Sequence, residues 1–204
     1  MIFDEYKKSM IKISRFFDTR KVGHVGPLGF RRSSDLERLL SGIEELQKNN
    51  ILGQSNLNFL DMGCGDGRVN ILLSYLTKKS IGIELDEWTL DDYYPLRLEL
   101  EKELKGQKLP LPPDVIHLFE GDALDPDLHN LIFHKTGIAI EDMDLFYTYL
   151  TLHEEIADLI ARKARPGALF MVYGLERIVP RYDRLELLTS KGPLQGIIAV
   201  YRKL

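Results

Sequence analysis

Only one of the 204 residues is cysteine, Cys64. That excludes an internal disulfide and any cysteine-based zinc module, and it favours a reducing setting, so a cytoplasmic address is expected. Long apolar runs are also missing. The longest, such as residues 168–173, fall far short of the ~20 residues that a membrane span needs, and Asp4 and Glu5 stand where a secretory leader would be basic and then apolar. Neither secretion nor a membrane partner is expected. Charge of one sign is not in great excess: 27 basic residues face 31 acidic ones, a net charge of −4. A surface that tracks nucleic-acid backbone over its whole extent is thereby excluded, so extended nucleic-acid binding is not expected. The five histidines, His24, His117, His129, His134 and His153, show no paired ligand spacing, and no metal site is expected. Internal repeats, heptads and low-complexity tracts are absent as well.

What the sequence does contain is alternation. Short apolar runs give way repeatedly to apolar residues at helical spacing, the pattern of an α/β domain. A single domain of this length buries roughly 70% of its unfolded surface. Residues 1–33 carry eight basic against three acidic residues, and the remainder 19 against 28. Gly23, Gly26, Pro27 and Gly29 interrupt any helix begun by Tyr6 to Phe17, so residues 1–33 read as a basic arm appended to a domain of residues 34–204. That arm is expected to be a lid hinged at residues 23–29, or else a surface for an acidic or nucleic-acid partner.

Ser34 and Glu37 form a capping-box pattern, predicting a helix to about Lys48 through Leu36, Leu39, Leu40, Ile43 and Leu46. Strands are predicted near residues 57–62, 80–85, 115–119, 144–150 and 168–173. Asp125 followed by Pro126 reads as a helix start and Gly137 as its stop. A second capping box, Thr151 with Glu154, opens a helix carrying Ile156, Leu159 and Ile160 inward. Segments 185–188 and 197–201, separated by Lys191-Gly192-Pro193, predict a closing antiparallel hairpin.

The chemistry-bearing segment is Asp61-Met62-Gly63-Cys64-Gly65-Asp66-Gly67. Three glycines at every second position, directly after a strand, suit a backbone that must approach a ligand closely and turn into a helix. The dinucleotide fingerprint needs its third glycine at the place of Arg68, so a pyrophosphate site matches poorly. Asp66 and Arg68 read as solvated turn and helix-start residues. Cys64 reads as a small filler, because no histidine is near to generate a thiolate.

This segment resembles the first motif of the class I, seven-stranded S-adenosylmethionine-dependent methyltransferases, and the resemblance spans about residues 57–175. It implies a Rossmann-like three-layer α/β/α sandwich with a mostly parallel seven-stranded sheet and a C-terminal antiparallel hairpin. It also implies S-adenosylmethionine as cofactor, held by Asp61 and the glycines Gly63, Gly65 and Gly67. Glu84, in Ile81-Gly82-Ile83-Glu84-Leu85, matches the family's acid on the ribose hydroxyls. Asp122 and Ala123 match the acidic and small residues that meet the adenine. Trp88 is placed either against that adenine or in the core.

The acceptor face of the family lies beyond the fourth strand of its sheet, where this chain has Tyr147, Thr148 and Tyr149. Amino-methylating DNA and glutamine enzymes carry Asn or Asp, Pro, Pro and an aromatic residue there, so the departure argues against an adenine or glutamine amide. Together with Glu84 to Trp88 and the helical arm, the region resembles the Dot1-like protein lysine methyltransferases. The expected activity is methyl transfer to a nucleophilic nitrogen or oxygen, with a protein side chain such as lysine as acceptor. Tyr147 and Tyr149 would line the channel, and His153 or Glu154 would serve as proton acceptors. The alternatives are a small-molecule acceptor, or a non-catalytic module that binds S-adenosylmethionine or S-adenosylhomocysteine.

Overall fold

The computed structural model describes residues 2–26, 29–53, 55–175, 179–189 and 197–204. In chain order its elements are α1 (Ile2–Asp18), β1 (Val22–Gly26), β2 (Gly29–Arg31), α2 (Leu36–Lys48), β3 (Leu57–Met62) and α3 (Arg68–Leu73). Next come β4 (Thr77–Glu84), α4 (Glu87–Asp91), α5 (Tyr93–Gly106), β5 (Ile116–Glu120), α6 (Pro126–Thr136) and β6 (Leu145–Tyr149). The chain ends with α7 (His153–Lys163), β7 (Leu169–Tyr173), β8 (Leu185–Leu187) and β9 (Ile198–Lys203).

Strands β1 and β2 form a separate antiparallel pair, and the other seven make one sheet in the order β5-β4-β3-β6-β7-β9-β8. Strands β3 to β7 run parallel, while β9 is antiparallel to both its neighbours. The expected sheet and closing hairpin are both present; the turn Lys191-Gly192-Pro193 lies outside the described residues. Alternate residues of the parallel strands face opposite layers. Phe59, Leu145 and Met171 join the cluster with α1, α2, α3 and α5, and Leu60, Ile81, Phe146 and Phe170 join α6 and α7. Because the order of connection reverses between β3 and β6, their carboxyl ends splay apart and leave a crevice there.

The reading of residues 1–33 as an appendage needs correction. Helix α1 buries Met10, Ile13, Phe16 and Phe17 in the core, and three of its cations, with Arg20 just beyond its end, pair with the domain's own acids. Lys7 pairs with Glu44 at 2.9 Å, Arg15 with Glu37 at 3.0 Å and Arg20 with Glu99 at 2.6 Å, and Lys12 pairs with Glu103. These partners lie tens of residues away, so local composition alone did not reveal them.

Both capping boxes are also corrected. Asp35, the residue directly before α2, is its cap and accepts from the Arg38 N–H at 2.9 Å. Ser34 is released for another contact. Helix α7 starts at His153 after Leu152, with no side-chain cap. The start and stop of α6 follow expectation: Asp125 caps it, Pro126 opens it and Gly137 ends it at φ +75°.

Gly82 in β4 leaves room for three side chains. A Cβ there would lie 2.6 Å from Leu118 Cδ2, 2.7 Å from Asn70 Oδ1 and 2.8 Å from Cys64 Sγ. Gly82→Ala is therefore expected to cost about 1–3 kcal/mol by overpacking. Urea unfolding checks this, and an unchanged midpoint would show that the three neighbours yield freely. Among the described residues no helix is long and apolar enough to cross a membrane.

Candidate functional site

At the crevice between β3 and β6 lies a cavity of about 610 Å³, within the range of about 300–1,000 Å³ usual for small-molecule sites. Four segments at the carboxyl ends of the strands line it: the turn after β3, the end of β4, residues 121–123 after β5, and residues 147–152 at and beyond β6. The N-terminal segment closes it through Val22 and residues 32–34.

The glycines of the turn do different jobs. Gly63 lines the cavity at φ +100°, and a Cβ on it would meet no protein atom within 4 Å. Its bare face is available to a ligand. Gly65 also lines the cavity, whereas Gly67 does not. Gly67 is needed for packing: at φ +73° its Cβ would come within 2.8 Å of Tyr93 Cδ2 and 3.0 Å of Leu118 Cδ1. Cys64 is buried, and burial pushes its thiol well above its ordinary pKa, in keeping with a filler.

Glu84 ends β4 at the cavity, where its Oε2 accepts from the Gly65 N–H at 2.9 Å and its Oε1 from the Asp86 N–H at 3.1 Å. These two N–H groups orient the carboxylate at the cavity. Asp122 is exposed at the rim, with Oδ1 accepting from the Leu124 N–H at 2.9 Å. The neighbouring Ala123 carbonyl is held by His129 Nε2 at 2.8 Å. Asp61 differs from both. It lines the cavity fully buried, and neither carboxylate oxygen has a hydrogen-bond partner among the described residues. Burial, reinforced by the charges of Glu84 and Asp66, pushes its carboxyl well above the usual range. A buried carboxylate left in this state is suited to a cationic ligand.

Asp66 and Arg68, expected to be solvated, are a buried ion pair. Their side chains are 1% and 4% exposed, and the guanidinium meets both carboxylate oxygens, Nε to Oδ1 at 2.9 Å and one terminal nitrogen to Oδ2 at 2.8 Å. The remaining N–H groups of Arg68 reach the Phe17 carbonyl at 3.3 Å, the Arg20 carbonyl at 3.4 and 3.5 Å, and Ser33 Oγ at 3.2 Å. One side chain thus ties the N-terminal wall of the cavity to the glycine turn. Nothing local in the sequence marks it, because every partner outside its own turn is at least 35 positions away.

Beyond β6 the expected residues separate. Tyr147 lines the cavity but is fully buried, its hydroxyl hydrogen-bonded to Ser34 Oγ. Burial also pushes its phenol well above the ordinary range, so it stays neutral. Tyr149 is half-buried at the cavity, with its ring stacked on Tyr173 at 5.5 Å. His153 is not among the lining residues; its Nδ1 lies 2.6 Å from the Tyr182 hydroxyl. Glu154 is exposed and also off the lining. Trp88, 67% exposed on α4, belongs to neither the core nor the lining.

The loop after β6 is strained. Leu150 and Leu152 have φ of +47° and +51°, conformations that cost a non-glycine residue of order 1–3 kcal/mol and cluster at functional sites. The Thr151 N–H turns back onto the Tyr149 carbonyl. Thr148 Oγ1 lies 3.0 Å from the carbonyls of both Met62 and Thr151, pinning the loop beside Gly63. Among the described residues no group of three His, Cys, Asp or Glu is placed to hold a metal ion.

No protein-family model matches the chain, and no curated protein does. Solved structures do. The rRNA methyltransferase aviRa of Streptomyces viridochromogenes matches at a TM-score of 0.57 with 16% identity over 88% of each chain. The Escherichia coli protein yhhF, designated a methyltransferase, matches at 0.50 with 16% identity over 89% of each chain. At these identities the likeness establishes the fold, which is the Rossmann-like, seven-stranded methyltransferase fold.

Proposed function

We propose that the chain is an S-adenosylmethionine-dependent methyltransferase that transfers the methyl group to a nucleophilic nitrogen or oxygen. The observation that carries this reading is Asp61, a buried carboxylate without a hydrogen-bond partner among the described residues, facing a cavity of cofactor size beside the bare backbone of Gly63. The residues fit the cofactor. Asp61 suits its ammonium, Gly63 and Gly65 allow close backbone approach, Glu84 places an acceptor carboxylate at the end of β4 where the ribose hydroxyls are needed, and Asp122 with Ala123 stands where adenine contacts are needed. Bound there, the cofactor supplies an electrophilic methyl group on a sulfonium. The chain's own part is to align the acceptor and exclude water. Tyr149 and residues 150–152 are the acceptor side, and Tyr147 with Ser34 forms its neutral floor. His153 is proposed no longer as a proton acceptor, because Tyr182 engages it away from the lining.

The fold-level match to aviRa, itself described as an rRNA methyltransferase, adds support for the reaction class. The Dot1-like lysine reading gains no such support. Calorimetry with S-adenosylhomocysteine, followed by labelled S-adenosylmethionine in a fractionated cell extract, tests the proposal. Binding and a labelled acceptor are expected. Absence of binding would defeat the cofactor assignment, and binding without any labelled acceptor would leave a non-catalytic module.

A further inference from the structure

Beyond β6 the cavity wall consists of Tyr149, Leu150, Thr151 and Leu152, and Arg32 lines the same cavity from the N-terminal segment. Three observations describe what this wall suits. First, Leu150 and Leu152 are 39% and 46% exposed although apolar, and both are held in left-handed backbone. A sequence free to choose would put glycine or asparagine at those conformations and polar side chains at that exposure, so the leucines point to an apolar ligand surface. Second, Tyr149 offers a flat ring made rigid by its stack on Tyr173, and its hydroxyl has no hydrogen-bond partner among the described residues. Flat apolar faces with one polar handle suit an aromatic ring.

Third, the charges are unevenly placed. The carboxylates lining the cavity, Asp61, Asp66, Glu84 and Asp122, belong to the β3, β4 and β5 side, and residues 149–152 include neither carboxylate nor imidazole. A lysine ammonium, with a pKa of about 10.4, would find no group on this wall to take its proton. An aromatic ring nitrogen carries its lone pair at neutral pH and needs no such help. Arg32 adds a guanidinium with no ion pair among the described residues, a group suited to phosphate.

We propose, on the methyltransferase reading above, that the acceptor is a nucleotide and that a ring nitrogen of its base is methylated. The nitrogen lone pair forms the new N–C bond while the carbon–sulfur bond breaks, its electron pair going to sulfur. The positive charge passes to the base, which retains it or sheds a ring proton to water. Leu150 and Leu152 hold the faces of the base, and Arg32 meets its phosphate. The same chemistry is offered by a free nucleotide and by a nucleotide within RNA.

The test supplies labelled S-adenosylmethionine to total cellular RNA, to the four ribonucleoside monophosphates, and to a protein fraction, then digests each to monomers for chromatography. Label in a base-methylated nucleoside is expected, and the arm in which it appears identifies the source. Two variants probe the wall. Leu150→Gly fits the left-handed backbone, so it is expected to be at least as stable as the parent and to bind S-adenosylhomocysteine equally. Its transfer rate should fall about tenfold, because the apolar contact is lost. Arg32→Ala is expected to raise the KM for the acceptor about tenfold, with the cofactor KM unchanged. Label confined to protein or to ribose, or no label in either nucleotide arm while S-adenosylhomocysteine binds, overturns the proposal. So do full activity in Leu150→Gly and a rise in the cofactor KM alone in Arg32→Ala. Failure to bind S-adenosylhomocysteine at all would instead count against the methyltransferase reading.

Discussion

Replacing Arg68 by alanine is expected to lower folding stability by about 3–5 kcal/mol, the usual cost of removing one partner from a buried ion pair. Asp66 would be left in a site where it is 1% exposed, with no other cation among the described residues placed to meet both its oxygens. The Arg20 carbonyl would lose the Arg68 guanidinium as donor at the same time, and the Phe17 carbonyl would keep only the Arg20 N–H. Lysine is not an adequate substitute, because one ammonium cannot reproduce the planar fork that spans a carboxylate and three groups of the N-terminal segment. Chemical denaturation of Arg68→Ala and of the double variant Asp66→Leu with Arg68→Met provides the check. The double variant should recover much of the loss, since it removes both buried charges together. A loss below about 1 kcal/mol in the single variant would mean that water reaches Asp66 and that the pair is not the strut described above.

Asp61→Asn is expected to act in opposite directions on the empty and loaded protein. Without ligand the carboxylate is a burden, buried and repelled by Glu84 and Asp66, and an amide is cheaper to bury. The variant should therefore melt at a higher temperature than the parent. With ligand, loss of a charge-assisted hydrogen bond worth about 1.5–3 kcal/mol should weaken S-adenosylmethionine binding by about 10–100-fold. The pH dependence has a defined sign. Asp61 titrates above its ordinary value of 3.8 in the folded protein, so the folded state binds more protons than the unfolded state between the two values. Its contribution to stability is greatest below the ordinary value and falls as pH rises through the folded one. Thermal melts of the ligand-free protein between pH 4 and 8 should show this decline in the parent, and the decline should be smaller in Asp61→Asn. Equal ligand affinity in the two proteins would remove Asp61 from the cofactor site.

Much of this site was legible in the sequence because its carriers are local. A strand ending in alternating glycines, an acid at the tip of β4, and an Asp-Ala pair after β5 each depend on near neighbours. The α/β alternation delivers all three to one crevice. The parts that escaped depend on distant partners. Ser34 looks like a helix cap in its own segment, and only the fold reveals Tyr147, 113 positions away, as its partner. Asp35 takes the cap because it directly precedes α2. Arg68 at the head of a helix looks solvent-facing until α1 and residues 20 and 33 are placed over it. The strain at Leu150 and Leu152 is likewise invisible in sequence, where leucine carries no sign of left-handed backbone. His153 and Glu154 were drawn toward the chemistry by their residue type, whereas α7 carries both off the lining.

The three ion pairs that Lys7, Lys12 and Arg15 of α1 make with α2 and α5, together with that of Arg20 just beyond the helix, alter how the charge of the chain is expressed. Each contact is worth little by itself at a partly exposed position, and the apolar stripe of Met10, Ile13, Phe16 and Phe17 does most of the anchoring. Taken together, however, they neutralise Glu37 and Glu44 on α2 and Glu99 and Glu103 on α5, the two helices that pack against α1. Helix α1 behaves as a built-in counter-ion, and a version shortened from the front would uncover an oily seam rimmed with unshielded acid.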